Sequence, residues 1–356
     1  MVLSRGDDFP IHQTSEPIAF AGTDRNFYDR YFFNGYAPDG GGFFGLAFGV
    51  YPHLDVADAH FSFTRDGRQY SLHASTELNM ERLALRVGPI AIEVIEPLQK
   101  LKVTIDETDG ISGEFIFDGR AFPVAEPRFI HRFGPRAFMD YSRMTQNGRY
   151  EGWIALDGAR EEMPAGTQGT RDRSWGVRPI GARDQQPIPG HPLPTFFWQW
   201  TPLNLDGGSL FFHINADAGG QSWNTRAAWA PDGADQAEMV EGEGVLHCAL
   251  KDGSRWPDTA RLELDIPDGP SNLELSSIGR FQMKGLGYTH PEWGHGIHQG
   301  ALKCAREEWD LSALEPLQID NRHVQMLCNV TGDMNGMGVF EQLIVGPYAP
   351  LGLAEV

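Results

Sequence analysis

The chain has 356 residues, 41% hydrophobic and 22% charged, which is an ordinary globular composition and enough chain for two hydrophobic cores. A net charge of −19 repels phosphate groups and argues against nucleic acid and anionic membranes as partners. No run approaches the ~18 apolar residues of a membrane span. Three cysteines without CxxC spacing, and no apolar leader, predict reduced thiols and a cytoplasmic location.

Two dipeptides mark the hairpins that the sequence predicts most clearly. Asp66-Gly67 and Asn147-Gly148 each separate two segments in which apolar and polar residues alternate. Asp-Gly and Asn-Gly accept the positive φ angles that a two-residue hairpin loop requires. We therefore predict a tight turn at both sites, of type I′ at Asn147-Gly148.

Short alternating segments with turn residues between them recur along the rest of the chain. In chain order they are 41–51, 82–87, 90–95, 101–106, 113–117, 195–201, 209–215, 224–230, 244–250, 259–266, 280–287, 300–310 and 339–345. Their spacing of about 8–14 residues is typical of antiparallel barrels or sandwiches. Only 24–33 and 312–317 suggest short helices. The sequence thus predicts an all-β fold with little helix.

A proline-rich tract indicates how the chain divides. Residues 185–194 contain four prolines, which a central strand does not accommodate. We therefore expect a boundary within 159–194, near residue 180. The predicted domains are 1–180 and 181–356, each an antiparallel barrel or sandwich.

The most distinctive motif lies just before this tract, in residues 169–179. Arg171, Arg173 and Arg178 are expected to hold Asp172 ionised through bidentate pairs, with Trp175 as a flat apolar wall. Asp172 is then either a general acid or ligand anchor, or part of a structural ion-pair knot between the domains. A carboxylate between arginines has a lowered pKa, which suits an anchor or base better than an acid.

The segment Asp172-Arg173-Ser174-Trp175-Gly176, between two β-rich halves, resembles the two-domain lipocalin-like proteins related to carotenoid 1,2-hydratase (hydroxyneurosporene synthase) and AttH. The resemblance implies a lipocalin-like fold for each half. It also implies cofactor-free addition of water to a carbon–carbon double bond, started by a carboxylic acid. Asp172 is the residue to which that role carries over, with Trp175 as its neighbour.

A second polar segment lies in the C-terminal half. His290, Glu292, His295 and His298 fall within nine residues beside Trp293, and the intervening proline and glycines predict a loop. Three histidines and a carboxylate suit a divalent metal, but the spacing matches no helical metal motif. The alternatives are a polar pocket wall, with His290 or His295 carrying a proton, and a hydrogen-bonded structural loop.

Aromatic residues are dense in one predicted strand. The two-residue period places Trp198 and Trp200 on the same side, with Phe197 opposite, and His213 lies on the next strand. Such a wall suits a hydrophobic ligand inside a barrel, although core packing explains any single aromatic residue equally well.

The leading hypothesis is a cofactor-free lyase or isomerase that hydrates, isomerises or cyclises an isoprenoid-like or other apolar substrate. Its catalytic candidates are Asp172, His290 and His295, with Trp198 and Trp200 among the faces for a developing cation. The remaining candidates for substrate binding are Arg173, Trp175, Arg178, His213, Glu292 and Trp293. The alternatives are a non-catalytic carrier of hydrophobic ligands and a metal-dependent enzyme that uses the loop 290–298. A homodimer is compatible with each.

Overall fold

The computed structural model describes residues 5–11, 24–183 and 195–354. The described chain forms a curved 14-stranded antiparallel sheet and a closed eight-stranded antiparallel barrel. Thirteen strands of the sheet come from the N-terminal half: β1 (Phe27–Tyr36), β2 (Phe43–Tyr51), β3 (Val56–Arg65), β4 (Arg68–Glu77), β5 (Arg86–Val87), β6 (Ile90–Glu96), β7 (Lys100–Thr108), β8 (Ile111–Gly119), β9 (Val124–Ala125), β10 (Phe129–Phe133), β11 (Arg136–Leu156), β12 (Ala159–Glu162) and β13 (Gln168–Val177).

The second half supplies the barrel and one more strand of the sheet. The barrel strands are β14 (Phe196–Leu205), β15 (Gly208–Ala216), β16 (Ser222–Pro231), β17 (Val240–Leu250), β18 (Pro257–Asp265), β19 (Asn272–Gln282), β21 (Val324–Gly332) and β22 (Gly336–Val345). Between β19 and β21 the chain crosses to the sheet, where β20 (Leu302–Asp310) pairs with β4. The described helices are 3₁₀ turns of three or four residues: Arg5–Asp8, Pro52–Leu54, Met283–Leu286, Leu311–Ala313, Ile319–Asn321 and Ala349–Leu351.

The all-β prediction with little helix is confirmed, and most predicted strands are present. The order within the sheet is β20-β4-β3-β2-β1-β13-β11-β8-β7-β6-β5, and β9, β10 and β12 also pair with β11. At the predicted hairpin between β3 and β4, Arg65 pairs with Arg68. Asp66 and Gly67 have φ angles of 52° and 74°, as such a turn requires.

The predicted hairpin at Asn147-Gly148 is wrong, because β11 runs straight through both residues. Gly148 lies between Gly119 on β8 and Gly169 on β13, so three glycines meet across three strands. A Cβ on Gly148 would lie 2.3 Å from the ring of Phe117. Glycine is needed here for close approach and not for a turn.

Two further expectations are corrected. Residues 24–33 were expected to form a short helix, but β1 begins at Phe27 and contains most of them. Phe33 packs in the core of the sheet and Phe32 packs against the barrel, so β1 is buried on both faces and its apolar run hides the two-residue period. Segment 169–179 was assigned to the boundary region, but most of it forms β13, between β1 and β11.

The sheet and the barrel pack against each other, with β14 of the barrel contacting β11 and β13 of the sheet. An aromatic cluster fills this interface, with Phe32 and Phe129 from the sheet and Trp198 and Trp200 from the barrel. A polar tie crosses it, since Asn34 donates to Gln325 at 3.0 Å. The division near residue 180 stays a prediction. Strand β20 comes from the second half of the chain but pairs with β4 of the first sheet. The proline-rich tract lies outside the described residues.

Candidate functional site

Asp172 lies near the middle of β13, with its side chain towards the barrel. Side chains alternate along the strand, so Arg171 and Arg173 point to the opposite face. There Arg171 forms an ion pair with Asp8, and Arg173 donates to Asp29 at 2.7 Å. The expected bidentate pairs between these arginines and Asp172 are therefore wrong.

The carboxyl group of Asp172 is buried and poorly satisfied. The residue is 5% exposed, and its Oδ1 atom has no hydrogen-bond partner. Burial raises the pKa of this carboxyl above its ordinary value, although the positive charges of Arg143 and Arg30 act in the opposite direction. The expectation of a lowered pKa is wrong, and the environment favours a neutral acid.

A second carboxyl group, that of Glu126, lies at the same interface, and its pKa is shifted in the opposite direction. Arg143 on β11 donates to its Oε2 from two nitrogens, at 2.8 and 2.5 Å. Thr145 and Trp200 donate to its Oε1, at 2.6 and 3.2 Å. Burial raises the pKa of Glu126, but Arg143 and His213 outweigh it and hold that pKa below its usual value. The site thus pairs a carboxyl driven towards the neutral form with one held ionised.

The barrel contributes a third buried carboxylate. Glu341 on β22 accepts hydrogen bonds from Trp198 at 2.9 Å and from Gln325 at 2.6 Å, and its Oε1 lies 2.9 Å from His323 Nε2. Burial raises the pKa of Glu341, but His323 and these donors outweigh it and keep that pKa below its usual value. Its negative charge and that of Glu126 both raise the pKa of Asp172.

His295 reaches this interface from the crossover between β19 and β20. Its Nδ1 atom faces Arg178 Nη2 at 3.1 Å and Arg30 Nη1 at 3.4 Å, and its Nε2 donates to the backbone oxygen of Leu286 at 2.7 Å. Burial and the two guanidinium groups hold the pKa of His295 well below 6.5, so the imidazole is neutral. Arg30 also donates to Tyr288 and interacts electrostatically with Asp172. Arg30 therefore links the loop to Asp172.

The rest of the predicted loop site does not converge. Glu292 pairs with Lys303 on the surface at 2.7 Å, and His298 is exposed beside Glu77 at 3.4 Å. Trp293 is buried and stacks on His73, with ring centroids 5.4 Å apart. The four-residue metal site suggested by the spacing is therefore wrong, because the loop spreads these side chains in different directions.

A different cluster has spacing suitable for a metal. Three ligand atoms lie within 4.8 Å of one another. They belong to His73 on β4, to His290 in the loop and to Glu307 on β20. The backbone N–H groups of Glu292 and Trp293 donate to His290 Nδ1, at 3.1 and 2.8 Å. A neutral His290 then carries its proton on Nε2 and donates it to Glu307 at 2.8 Å. The Nε2 proton of His290 lies where a metal ion would have to bind between His290 and Glu307. The hydrogen bonding therefore indicates a structural cluster that holds the loop against the sheet.

The aromatic candidates lie outside the barrel lumen. Trp198 and Trp200 are on one side of β14, as predicted, but that side faces the sheet. Arg143 covers both rings, with its guanidinium carbon 4.7 Å and 5.5 Å from the two ring centroids. His213 lies 3.9 Å from Glu126. Trp175 is half-buried beside Met144, so it adjoins the site without lining the barrel.

A cleft of about 530 Å³ opens beside this interface. It lies between the segment from β9 to β10 and strands β16 and β17. Its lining residues are Pro123, Val124, Ala125, Glu126, Pro127, Arg128, Ser142, Arg226, Ala228, Gln236, Met239 and Glu241. Glu126 therefore borders the cleft and also belongs to the carboxyl cluster around Asp172.

Of the groups that meet here, the sequence singled out Asp172, Arg178, His213 and His295, but it did not point to five further charged or titratable residues. Arg30, Glu126, Arg143, His323 and Glu341 lie on separate strands or loops and belong to no motif. No local signal could have found them, since only strand pairing and the packing of the barrel on the sheet bring them together.

The all-β fold is lipocalin-like. An AttH-like protein from Nitrosomonas europaea has the same fold, with a TM-score of 0.55, 13% identity and coverage of 89% of this chain and 92% of that one. CghA, solved with Sch210972, has a TM-score of 0.54 and 11% identity, covering 95% of each chain. The predicted resemblance in fold is confirmed.

By sequence, the chain belongs to the family of unknown function DUF8625, which it matches over residues 3–354. No curated protein matches its sequence. Within the described part of the chain, no helix combines the length and the apolar character needed to cross a membrane.

Proposed function

We propose that the chain is an enzyme that transfers protons to and from a carbon–carbon double bond of a small, largely apolar substrate. The reaction class is hydration, double-bond migration or cyclisation. The observation that carries the proposal is a buried Asp172 carboxyl, whose Oδ1 has no hydrogen-bond partner and whose pKa is raised, at the same interface as Glu126, whose pKa is lowered. Two carboxyl groups driven in opposite directions are a common arrangement in acid–base catalysis.

In this mechanism Asp172 donates its proton to one carbon of the double bond. In hydration, the oxygen of a water molecule bonds to the other carbon and releases a proton to the Asp172 carboxylate, which restores the acid. In double-bond migration, the carboxylate instead removes a proton from the next carbon. Neither route requires an organic cofactor. The likeness in fold to CghA, crystallised with a small molecule, is consistent with small-molecule chemistry.

The position of Arg143 changes the role that we assign to Trp198 and Trp200. Its guanidinium group lies over Trp198 and Trp200, so these ring faces are not free to stabilise a cation. We therefore assign the two rings to binding and to excluding water. Together with Arg30, Arg143 makes the surroundings of Asp172 more favourable for developing negative charge.

The test is incubation with a cellular lipid and isoprenoid extract in deuterated water, followed by mass spectrometry. We expect one compound to gain the mass of water or to exchange carbon-bound hydrogen, with at least a 100-fold loss of labelling in Asp172→Asn. Asp118→Asn, which changes a partly exposed carboxylate paired with Lys100 at 3.3 Å, is the control. Selective retention of a compound without labelling would contradict the proposal and favour the carrier.

A further inference from the structure

Two arginines at the site lack the carboxylate partners that buried arginines usually have. Arg30 is 2% exposed and Arg178 is half-buried, and neither forms a salt bridge with any described residue. Both instead point one nitrogen at Nδ1 of the neutral His295. The carboxyl that acts on Arg30 is that of Asp172, which burial drives towards its neutral form, so an additional anion would stabilise the buried guanidinium groups.

Unsatisfied polar atoms mark the same place. Among the described residues, the Nε atoms of Arg30 and Arg178 and the Oδ1 atom of Asp172 are buried without a hydrogen-bond partner. Other buried arginine Nε atoms, such as that of Arg280, also lack a partner, but here two arginines with such atoms converge on one histidine, which a missing ligand would explain. We call this group of five residues the arginine corner: Arg30, Asp172, Arg178, Tyr288 and His295.

The arginine corner is placed to meet a ligand. Arg178, Tyr288 and His295 are half-buried, whereas Arg30 and Asp172 are buried beneath them. Stacking fixes the arginine planes, since Arg30 lies 4.7 Å from the ring centroid of Tyr288 and Arg178 lies 4.4 Å from that of Tyr28. Guanidinium groups held in this way match planar oxyanions such as carboxylates and enolates.

We propose that the arginine corner binds a planar oxyanion, a carboxylate or an enolate, carried by the otherwise apolar substrate. The binding site stands on its own observations, but assigning the anion to the substrate rests on the proposed function. An isoprenoid hydrocarbon without such a group would leave both arginines unpaired.

The oxyanion would also act on Asp172. Arg30 opposes the rise in the pKa of this carboxyl, so an anion bound to Arg30 would offset that effect and favour the neutral acid. Binding of the correct substrate would thus help to prepare the proton donor. A neutral ligand of the same size would not do so.

Calorimetric titration with decanoate, decanol and decylammonium tests the inference on the full chain. We expect decanoate to bind at least tenfold more tightly than the other two. Arg178→Gln should remove that preference, while Arg178→Lys, which keeps the charge, should retain part of it. Arg178 is half-buried, so its variants are more tolerable than those of Arg30.

The control is Arg280→Gln, since Arg280 is also half-buried and stacks on an aromatic residue, Trp256, at 3.8 Å from the ring centroid. Equal binding of decanoate and decanol, or a preference that survives Arg178→Gln, would overturn the inference. Deuterium labelling is scored separately. Deuterium labelling without a preference for decanoate would contradict only this inference. A preference for decanoate without labelling would contradict the proposed enzymatic function but would still support the anion-binding site.

Discussion

Asn147, in the middle of β11, donates its side-chain amide to the backbone oxygen of Leu203 on the barrel at 2.8 Å. The same side chain accepts a hydrogen bond from Thr170 at 2.7 Å. An asparagine with the sequence signature of a turn thus ties the central strands of the sheet to the barrel. The neighbouring Gly148 lets three strands approach closely enough for this contact.

Replacing Gly148 by alanine should therefore destabilise the protein. The added Cβ would lie 2.3 Å from Phe117 and 2.6 Å from the backbone oxygen of Asp118, and the backbone atom cannot move aside cheaply. We expect a loss of roughly 1–3 kcal/mol in the free energy of unfolding, measured by urea denaturation. Gly42→Ala, where a Cβ meets nothing within 4 Å, should change it by less than about 0.5 kcal/mol. Equal effects of the two substitutions would contradict this account of Gly148.

Asp172→Asn should be at least as stable as the parent protein at neutral pH. The pKa of this carboxyl is higher in the folded protein than in the unfolded chain. The folded protein therefore loses stability as the pH rises above the pKa of the carboxyl in the unfolded chain, because the unfolded chain ionises first. Removing the charge should raise the free energy of unfolding by on the order of 1 kcal/mol at pH 8. Thermal unfolding at pH 8 and pH 4 measures it, and the gain should shrink at the lower pH. A marked loss of stability at pH 8 would point to a structural ion-pair role.

Arg143→Met should move the alkaline limit of turnover to higher pH. Asp172 must be protonated to act as the acid, and Arg143 opposes the rise in its pKa, so removing that charge raises the pKa further. The measurement is deuterium labelling as a function of pH, normalised to the folded fraction by circular dichroism, because Glu126 also loses its partner. Arg280→Gln should leave the profile unchanged. A shift to lower pH would exclude Asp172 as the group that limits turnover.

The cluster beneath the loop predicts sensitivity to acid. Burial lowers the pKa of His73 to about 4, so the unfolded chain takes up the proton first and stability falls as pH drops from about 6.5 to 4. Such a shift corresponds to about 3 kcal/mol. The hydrogen bond from His290 and the proximity of His73, 3.4 Å away, outweigh the effect of burial and lower the pKa of Glu307, which extends the loss to still lower pH.

Urea denaturation across this range, compared with His73→Gln, measures the contribution of His73. The variant should lose much of the dependence between pH 6.5 and 4. His247→Gln, at an exposed histidine 3.6 Å from Glu263, should keep it. An unchanged pH profile in His73→Gln would show that His73 does not titrate in this way.

Particular residues show where the sequence was informative about the site. The motif around Asp172 was visible as an unusual run of charged residues, but its interpretation depended on the strand period. Once the segment forms β13, Arg171 and Arg173 turn away from Asp172, and the expected ion-pair knot disappears. Trp198 and Trp200 were assigned correctly to one side of their strand, yet that side is the outside of the barrel.

The sequence by itself determined the all-β class, most of the strands and the Asp66-Gly67 turn, because alternation and turn chemistry depend only on neighbouring residues. Tertiary structure alone decided that Asn147-Gly148 is strand, since that depends on how closely β8 and β13 approach β11. It also decided the direction in which the pKa of Asp172 shifts, because the energies of buried charges depend on groups that are distant in the chain. Pairing of β13 with β1 and β11 brings Arg30 and Arg143 to this carboxyl, and packing of the barrel on the sheet adds Glu341.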